Sequence, residues 1–365
     1  MKKVLLLCVT SQDIYNFRMP LIKSLLSQGC VVAAVAFDNA YENELAIDGL
    51  RLFFVKNSNR DTNPFSMIRL KREYKRIIRE IEPDIVLTFM AKPNTVGVLA
   101  AKECGIKNVF CVVEGAGEAF GDKSFKMRVI KRVLCSLYKR AFRFAQAVFF
   151  LNDDDMREFI SLKILEPNKA KRINGVGVDL EKFSFVPFEQ SSDAFVMAAR
   201  MLKTKGVIEY CECAKRVKEH FPSAIFYYLG SKGDLDANSI KEYIDSGVID
   251  YRGNVKDVRP YFSKSIAFVL PSYYREGLPM SIMEAESMGR CIITSDSVGC
   301  RDTVKDGLNG FLVEPKNSKD LADKCMLLLN NKELAKEMGL CARKYAEQYY
   351  DQKIINELFL SYLGF

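Results

Sequence analysis

The sequence predicts an α/β protein with two doubly wound domains, each containing a parallel β-sheet covered by helices on both faces. Three observations lead to this prediction. Short apolar segments of strand length alternate with helix-length amphipathic segments along most of the chain. The alternation stops at a mixed, linker-like stretch, 183–193, and then starts again. The chain has 365 residues, which is enough for two domains of ordinary size.

The first domain is predicted to span residues 1–185. Its helices end at Gly29, Pro83 and Gly105, residue types that terminate helices, and its strands are short apolar runs. The predicted strands are 4–9, 31–37, 52–56, 84–89, 108–113 and 147–151, and the predicted helices are 17–28, 69–81 and 95–104.

The second domain is predicted to span residues 186–345. Its predicted strands are 195–199, 225–229, 250–252, 265–270 and 291–294, and its predicted helices are 206–221, 238–245 and 279–288. Ligands of such sheets bind at the carboxyl ends of the strands, so two facing sheets predict a site in the cleft between the domains. The last segment, 351–365, is apolar on one face, and we expect the C-terminal helix, 346–365, to pack back on the first domain.

Composition excludes several classes of protein. Hydrophobic residues make up 48% of the chain, which argues against disorder, and no apolar run is long enough to span a membrane. Val4–Val9 is too short for a secretory signal and is interpreted as the first strand. Eleven scattered cysteines favour reduced thiols in the cytosol. The single histidine, His220, argues against histidine-based hydrolysis and against a zinc site built from histidines.

The positive charge is concentrated in the first domain. Residues 1–185 carry 30 Lys and Arg against 21 Asp and Glu, a net charge of +9, whereas residues 186–365 carry 24 against 25, a net charge of −1. Segment 123–143 has eight basic residues and no acidic one, interleaved with apolar residues. This pattern favours an anionic membrane surface as partner, with an ordinary solvated helix as the alternative. A second basic stretch spans 69–79, and no nucleic-acid-binding motif accompanies either, so we expect no nucleic acid partner.

Segment 271–286 carries the most informative pattern. A turn after a predicted strand holds Glu276 and Gly277, and Pro279 stands where a helix begins, a position that proline favours. The free N–H groups of that helix start predict a site for an anion such as a diphosphate. Glu276 and Glu284 flank it, and carboxylates are good acceptors for the hydroxyl groups of a sugar.

This segment resembles the E-x7-E signature of retaining glycosyltransferases of family 4. That family has the GT-B fold, in which two Rossmann-like doubly wound domains face each other across a cleft. Most of the chain shares the resemblance. Arg200 with Lys205-Gly206 resembles the R…KG phosphate clamp of the family, and segments 174–183 and 299–313 resemble its interdomain segment and its late glycine-rich stretch.

The resemblance implies roles for residues of the second domain. Arg200 and Lys205 would neutralise the diphosphate of the donor, and Glu276 would bind the transferred sugar, which makes these three the candidate catalytic residues. Glu284 would bind the ribose. The remaining implied donor-binding residues are Arg252 and Gly253 near the base and Gly277, Leu278, Pro279 and Met280 at the helix start. A cationic clamp suits the chemistry, because negative charge develops on the diphosphate as the glycosyl bond breaks.

Three segments of the first domain resemble a subgroup that transfers sugars onto polyprenyl-diphosphate-linked acceptors. The implied acceptor-side residues are Asn16, Arg18, Lys92, Asn94, Glu114, Gly115, Gly117 and Glu118. The chain departs from the family in one respect. Many relatives have a histidine in the first domain near the transferred sugar, and this chain has none there. Lys92, Asn94 or Glu118 is the expected replacement.

The acidic run Asp153–Asp155 permits two interpretations. Three neighbouring carboxylates suggest a metal-binding motif, as in the other major glycosyltransferase fold. Asn152 before the run is a good N-cap, and acidic residues are stabilised in the first turn of a helix. We therefore expect a helix start here, no bound metal and no cofactor.

The resemblance implies a metal-independent transferase on the cytoplasmic face of the cell membrane. It would move a hexose or N-acetylhexosamine from a nucleotide-diphosphate sugar, expected to be UDP-linked, to a lipid-linked saccharide in polysaccharide or glycan synthesis. Two alternatives stay open. A non-hydrolysing sugar-nucleotide epimerase of the same fold would use more acid–base side chains than the chain offers, and a non-catalytic GT-B-like module would bind a sugar or lipid.

Overall fold

The computed structural model describes residues 1–58, 61, 63–121, 124–187, 189 and 191–365, and the chain divides into two compact units. The first unit comprises Met1–Val176 with Lys353–Phe365, and the second comprises Gly177–Gln352. Each unit contains one sheet of parallel strands with helices between them. The predicted fold class, an α/β protein with two doubly wound domains, is confirmed.

The sheet of the first unit is built from short apolar strands. They are β1 Lys3–Leu7, β2 Val31–Ala36, β3 Leu50–Phe54, β4 Ile85–Phe89, β5 Asn108–Val113, β6 Ala147–Phe150 and β7 Ala170–Arg172. Within the described residues the strand order is β3-β2-β1-β4-β5-β6-β7, and all neighbours are parallel. Residues 4–7 of β1 are fully buried, as expected for a strand covered by helices on both faces.

The helices of the first unit connect these strands. They are α1 Ser11–Asp13, α2 Met19–Ser27, α3 Pro64–Ile81, α4 Val98–Glu103, α5 Glu118–Gly121, α6 Phe125–Phe142 and α7 Asp153–Ser161. Apolar residues spaced three or four apart on α3, such as Leu70, Tyr74 and Ile77, face the sheet and join one hydrophobic core with β1, β4 and β5.

The second unit repeats this architecture. Its strands are β8 Ala194–Ala198, β9 Ile225–Leu229, β10 Asp250–Gly253, β11 Ala267–Leu270, β12 Cys291–Ser295 and β13 Gly310–Val313. Its helices are α8 Val207–His220, α9 Lys241–Asp245, α10 Arg259–Ser263, α11 Met280–Ser287, α12 Ser318–Asn330 and α13 Lys332–Tyr349. Over the described residues, the parallel strand order is β10-β9-β8-β11-β12-β13.

The unit boundary lies at 176/177, whereas the sequence prediction put it at 185/186. Residues 177–185 belong to the second unit because their backbone bonds to it. Val178 N donates to Tyr350 O at 2.7 Å, and Arg343 Nη1 donates to Phe183 O at 3.3 Å. After α13 the chain returns to the first unit as α14, Gln352–Leu363. There the ring of Phe359 lies 4.7 Å from that of Phe149.

Some elements differ from the sequence prediction. The predicted helix 17–28 is a π-helical turn, Ile14–Arg18, followed by α2, and the predicted helix 95–104 is a π-helical turn, Pro93–Gly97, followed by α4. Strands β7 and β13 and helices α12 and α13 were not predicted. Three short 3-10 turns complete the described elements: Pro167–Lys169, Lys203–Lys205 and Ala237–Ile240.

Two sequence expectations can be compared with the structure: that the cysteines are reduced thiols, and that no segment spans a membrane. All eleven cysteines are free thiols, as the sequence predicted, and eight of them are buried in the core. Over the described ranges, each helix is either too short or too polar to cross a lipid bilayer.

Candidate active site

Each sheet has one point where the chain order reverses, between β1 and β4 in the first unit and between β8 and β11 in the second. The carboxyl ends of the strands leave a crevice at such a point, and ligands of doubly wound sheets bind there. Most of the predicted site residues lie on the segments that follow β1, β4, β5, β8 and β11, whereas Arg252 and Gly253 lie in β10. We call the loops after β1, β4 and β5 the first half-site, and the loops after β8 and β11 the second half-site.

An ion pair lies at the centre of the second half-site. The ammonium group of Lys205 contacts the Glu276 carboxylate, and the two side chains are only 15% and 10% exposed. Ser272 Oγ donates a second hydrogen bond to Glu276 Oε1 at 2.9 Å. The Lys205 ammonium also lies 5.5 Å from the ring centroid of Tyr274. The structure therefore brings together two of the three predicted catalytic residues, and a third side chain fixes the orientation of the carboxylate.

Backbone contacts hold the two loops of this half-site against each other. The amides of Tyr273 and Tyr274 both donate to Thr204 O at 2.9 Å. Gly206, next to Lys205, has φ +78°, and a β-carbon there would overlap the carbonyl oxygen of Pro271. Only glycine satisfies both the left-handed backbone and this close approach. The KG pair therefore combines a cation with a residue that allows the loops to touch.

A third loop supports the carboxylate turn from the side of β12. Ser297 Oγ donates to Ser272 O at 2.7 Å. Gly299 has φ +81°, and a β-carbon there would lie 2.7 Å from Glu276 O, too close for any side chain. Three contacts thus restrain Glu276. Its carboxylate bonds to Lys205 and Ser272, Ser297 bonds to the carbonyl of Ser272, and the carbonyl of Glu276 packs closely against Gly299.

Helix α11 begins directly after this turn. Pro279 occupies its N-cap with φ −65°, one position before the first helical residue, whereas the sequence predicted Pro279 as that first residue, and no side chain caps the helix start. Gly277, Leu278 and Pro279 are buried, and Met280 is half-buried. Ile282 N donates to Pro279 O at 3.1 Å, so the donors that this helix start can offer to an anion are the earlier amides of Met280 and Ser281.

Two glutamates on α11 have different surroundings. Glu286 is fully buried and accepts a hydrogen bond from Asn309 Nδ2 at 2.7 Å, and burial raises its pKa well above the ordinary value. Glu284 is half-buried, and burial raises its pKa to about 7, although Lys182 opposes the shift. Within the described chain, the Glu284 side chain has no hydrogen-bond partner. Glu286 therefore fastens α11 to a neighbouring loop, while Glu284 can accept bonds from a ligand.

The other predicted donor residues lie at the same edge of the sheet. Arg200 follows β8 with an exposed side chain that forms no ion pair within the described residues. Arg252 is exposed and pairs with Asp250 at 2.6 Å, and Gly253, at φ +67°, ends β10. Because β9 separates β10 from β8, the structure does not bring Arg252 to the Lys205–Glu276 pair.

The first half-site contains a buried cation. Arg18 is 3% exposed, its guanidinium contacts the Glu114 carboxylate, and it lies 4.1 Å from the ring centroid of Phe89. Burial lowers the pKa of Arg18, although its Nη2 donates to the carboxylate of Glu114. Asn16, in the same π-helical turn, is exposed. The structure thus joins two predicted acceptor-side residues, Arg18 and Glu114, across 96 positions of sequence.

The segment after β4 turns its polar side chains inward. Lys92 is 7% exposed, donates to Asn57 Oδ1 at 2.8 Å and contacts Ser58 O, and burial lowers its pKa. Asn94 is fully buried in the π-helical turn Pro93–Gly97. It donates through Nδ2 to Val112 O at 2.7 Å, and its Oδ1 accepts from Thr88 Oγ1 at 2.7 Å. Both amide atoms of Asn94 are therefore occupied, so the structure places it in the core instead of at a ligand surface.

The glycine-containing loop 114–117 follows β5. Gly115 and Gly117 have φ values of +137° and +74°. The side chain of Glu118, also predicted on the acceptor side, lies outside the described residues.

The acidic run has two different roles. Asn152 Oδ1 accepts from Asp155 N at 2.7 Å, which confirms the predicted N-cap and helix start. Asp153 is 47% exposed and pairs with Arg172 at 3.3 Å. Asp155 is fully buried, and its Oδ2 accepts from Ala116 N at 2.8 Å. Across the described ranges, no three His, Cys, Asp or Glu side chains cluster in a way that could hold a metal ion.

Sequence reasoning missed three residues of these half-sites. Ser272 orients Glu276, Thr204 accepts two amide hydrogen bonds, and Asp155 reaches the 114–117 loop. Ser272 follows a predicted strand by two positions, a signal that could have found it. The other two act through contacts between distant segments, which no local pattern indicates.

Two family models match the chain. The model described as "Glycosyl transferases group 1" matches residues 180–345, and the model described as "Glycosyl transferase 4-like" matches residues 3–152. The group 1 model covers the second half-site, and the 4-like model covers the first half-site.

Two relatives that are named as glycosyltransferases align with most of the chain. The N,N'-diacetylbacillosaminyl-diphospho-undecaprenol alpha-1,3-N-acetylgalactosaminyltransferase of Campylobacter jejuni is 32% identical, over 95% of this chain and 94% of the relative. The UDP-Gal:alpha-D-GlcNAc-diphosphoundecaprenol alpha-1,3-galactosyltransferase of Escherichia coli is 27% identical, over 73% of this chain and 72% of the relative.

Solved structures share the fold. Anabaena HepE in complex with UDP and glucose superposes with a TM-score of 0.80 at 16% identity, over 100% of this chain and 99% of that one. Sucrose-phosphate synthase from Thermosynechococcus elongatus also has a TM-score of 0.80 at 16% identity, over 99% and 98% of the two chains. These likenesses confirm the predicted GT-B fold. With two family models and a relative 32% identical over nearly its whole length, the chain belongs to the glycosyltransferases, with a 4-like domain followed by a group 1 domain.

Proposed function

We propose that the chain is a retaining hexosyltransferase that uses a UDP-linked hexose or N-acetylhexosamine as donor. Its acceptor is a saccharide linked to a polyprenyl diphosphate, and its product serves polysaccharide or glycan synthesis. The observation that carries the proposal is the Lys205–Glu276 pair, set beside the start of α11 at the point where the second sheet reverses its strand order.

The second half-site suits a nucleotide-diphosphate sugar. Lys205, the exposed Arg200 and the N–H groups at the start of α11 supply positive charge and donors to the diphosphate. Glu276 then accepts hydrogen bonds from the sugar, and Glu284, without a partner among the described residues, accepts them from the ribose. Arg252 and Gly253 at the end of β10 suit the base. The E. coli relative is named for a UDP-Gal donor and HepE forms a complex with UDP, which supports that base.

The reaction depends most on stabilising the leaving group, the nucleoside diphosphate. The bond from the anomeric carbon to the diphosphate oxygen breaks, and a bond from that carbon to the acceptor oxygen forms on the same face. The acceptor hydroxyl proton passes to the departing diphosphate oxygen, so no protein base is required. Fixed cations and helix N–H groups stabilise the charge that develops there, which is where electrostatic catalysis is strongest.

The names of the relatives support the acceptor. The C. jejuni and E. coli relatives both carry names that contain a sugar linked through diphosphate to undecaprenol, and both align across most of this chain. Arg18, Glu114 and Asn16 in the first half-site are the residues that we assign to this acceptor, with Gly115 and Gly117 shaping the loop.

A lipid-linked acceptor requires contact with a membrane, and we assign that contact to helix α6. Phe125, Val129 and Val133, four residues apart, are 80%, 48% and 55% exposed. Lys126, Arg128 and Arg132 are exposed beside them, and Lys123 at the start of the 123–143 segment lies outside the described residues. A helix with exposed apolar and basic residues suits an anionic bilayer surface. The enzyme then works peripherally, on the cytoplasmic face of the cell membrane.

The first prediction concerns the charged pair. Glu276→Gln and Lys205→Ala should each lower kcat about 10²- to 10³-fold, as expected for loss of one oriented contact to a transition state. The measurement is release of UDP coupled to growth of a polyprenyl-diphosphate-linked saccharide, followed by mass spectrometry. Lys203→Ala is the matched control, because Lys203 is exposed on the same 3-10 turn. Near-normal kcat in a folded Lys205→Ala protein would contradict the site.

The second prediction concerns pH. Glu284 has a pKa of about 7, and only its ionised form accepts hydrogen bonds from both ribose hydroxyls, so acid should weaken donor binding. The donor KM should rise about tenfold from about pH 8 to about pH 6, as one protonation requires. Glu284→Gln should remove this dependence, whereas Glu219→Gln, at an exposed position of α8, should keep it. A donor KM that varies equally in all three proteins rules out Glu284 as the group responsible.

The third prediction is that turnover needs neither a divalent metal nor another cofactor. Arg200, Lys205 and the start of α11 supply the charge that a metal would otherwise supply to the diphosphate. Initial rates with and without excess chelator should agree. Loss of activity in chelator that magnesium or manganese restores would show that the clamp is incomplete without a metal.

The fourth prediction is that α6 binds anionic lipid. Changing Lys126, Arg128 and Arg132 to Gln should weaken binding to phosphatidylglycerol vesicles about 100-fold, because each cation contributes about 1 kcal/mol near such a surface. Lys131 is left unchanged, because it pairs with Glu158 at 2.5 Å. The control changes Lys215, Arg216 and Lys241, three exposed cations of the second unit, to Gln.

Co-sedimentation with vesicles measures this binding, and salt should weaken it because exposed charges are screened within about 10 Å at 0.1 M. Equal loss in both triple variants, or equal binding of the unaltered enzyme to phosphatidylcholine and phosphatidylglycerol vesicles, would remove α6 as the docking element.

A further inference from the structure

We propose that Asp155 is a positioning residue that holds the 114–117 loop in the conformation that binds the acceptor. The inference rests on the proposed function, because it takes that loop to be part of the acceptor site. It assigns a role to a carboxylate that the reaction itself does not use.

The geometry of Asp155 is that of an anchor. The side chain is fully buried in the first unit, at the third position of α7. Its Oδ2 accepts from Ala116 N at 2.8 Å and from Asn152 Nδ2 at 3.1 Å. A buried carboxylate is costly unless it is hydrogen-bonded, and bonds to a charged acceptor are about twice as strong as neutral ones. The Ala116 amide therefore receives a strong and local restraint.

A helix start alone does not explain this contact. Asp153, in the same first turn, stays 47% exposed and pairs with Arg157 and Arg172, as expected for an acidic residue that stabilises a helix start. Asp155 instead reaches a backbone amide 39 residues away in sequence, on the loop that follows β5. Asp153 and Asp155 lie in the same helix turn, but Asp153 pairs with arginine side chains, whereas Asp155 bonds to the backbone of a distant loop.

The loop needs such a restraint. Gly115 and Gly117 both have positive φ, and glycine has more backbone conformations to lose than any other residue. Ala116 lies between them, so a bond to its amide limits both glycines at once. Glu114 is the first residue of the loop, directly after β5, and contacts Arg18. Fixing Ala116 thereby keeps Glu114 directed at Arg18, and both belong to the first half-site.

The consequence is a selective effect on the acceptor. Asp155→Ala should raise the acceptor KM at least about tenfold, since the loop then samples conformations that do not bind. The donor KM should be unchanged, because the residues that we assign to the donor lie in the second unit. Asp155→Asn retains one acceptor oxygen for the Ala116 amide and should fall between the unaltered enzyme and Asp155→Ala.

The experiment measures both KM values on the full-length enzyme, with a UDP-sugar and an undecaprenyl-diphosphate-linked saccharide as probes. Asp153→Asn is the matched control, with the same charge change two residues from the anchor in the same helix turn, and it should leave both KM values unchanged. Hydrogen–deuterium exchange provides a second readout that needs no turnover. The Ala116 amide should be protected in the unaltered enzyme and in Asp153→Asn, and should exchange at least about tenfold faster in Asp155→Ala.

The outcomes separate the two hypotheses. An unchanged acceptor KM together with unchanged Ala116 protection in folded Asp155→Ala overturns the anchor. Parallel loss of donor and acceptor affinity also overturns it, because that result indicates general damage. If Asp155→Ala does not fold, Asp155→Asn decides by the same two readouts. If the unaltered enzyme transfers no sugar to the lipid-linked acceptor, the proposed function fails, and amide exchange still decides whether Asp155 holds the loop.

Discussion

The carbonyl oxygen of Thr204 accepts hydrogen bonds from two successive amides, Tyr273 and Tyr274, and the second half-site depends on this contact. An ion pair near a surface contributes little by itself, because two long side chains must be ordered to form it. Here the loops that carry Lys205 and Glu276 are already joined through their backbones, so little ordering remains. The parallel sheet makes the junction possible, because β8 and β11 are neighbours although 71 residues separate the charged pair.

The two half-sites use charge differently. In the second, Arg200 is exposed and Glu284 has no partner within the described chain, so both can respond to a ligand. In the first, the cations are engaged by their own unit: Arg18 with Glu114, and Lys92 with Asn57 and Ser58. Burial lowers the pKa of Arg18 and Lys92, which shows that their ionised forms are poorly solvated. The described cations Arg18 and Lys92 of the first half-site are therefore already bonded within their unit, as Lys205 is in the second, whereas Arg200 is not.

Local pattern was enough to predict the alternation of strands and helices, the turn with Glu276 and Pro279, and the N-cap at Asn152, because each depends on neighbours in sequence. It failed where the outcome depends on distant segments. Asn94 has the same amide group whether it faces a ligand or bonds to Val112 O inside the sheet. Asp155 looks like any acidic residue in a first helical turn until the β5 loop is placed beside it. The sequence did not predict strand β13 or helices α12 and α13. That part of the chain was recognised only by its resemblance to a glycine-rich stretch, which carries no information about the periodicity of strands or helices.

Both polar segments of the first half-site, after β1 and after β4, enter their helices through a π-helical turn. Such a turn contains one residue more than an α-helical turn, and it is usually a local insertion within an otherwise regular helix. Deleting one residue from an ordinary helix rotates everything beyond it by about 100° and turns the buried face outward. Deletion within Ile14–Arg18 would instead convert the turn to regular α-helix and keep the buried face of α2 in phase with the sheet. Deletion or insertion of one residue can therefore remove or restore the π-helical turn around Arg18, while the buried face of α2 still packs against the same core.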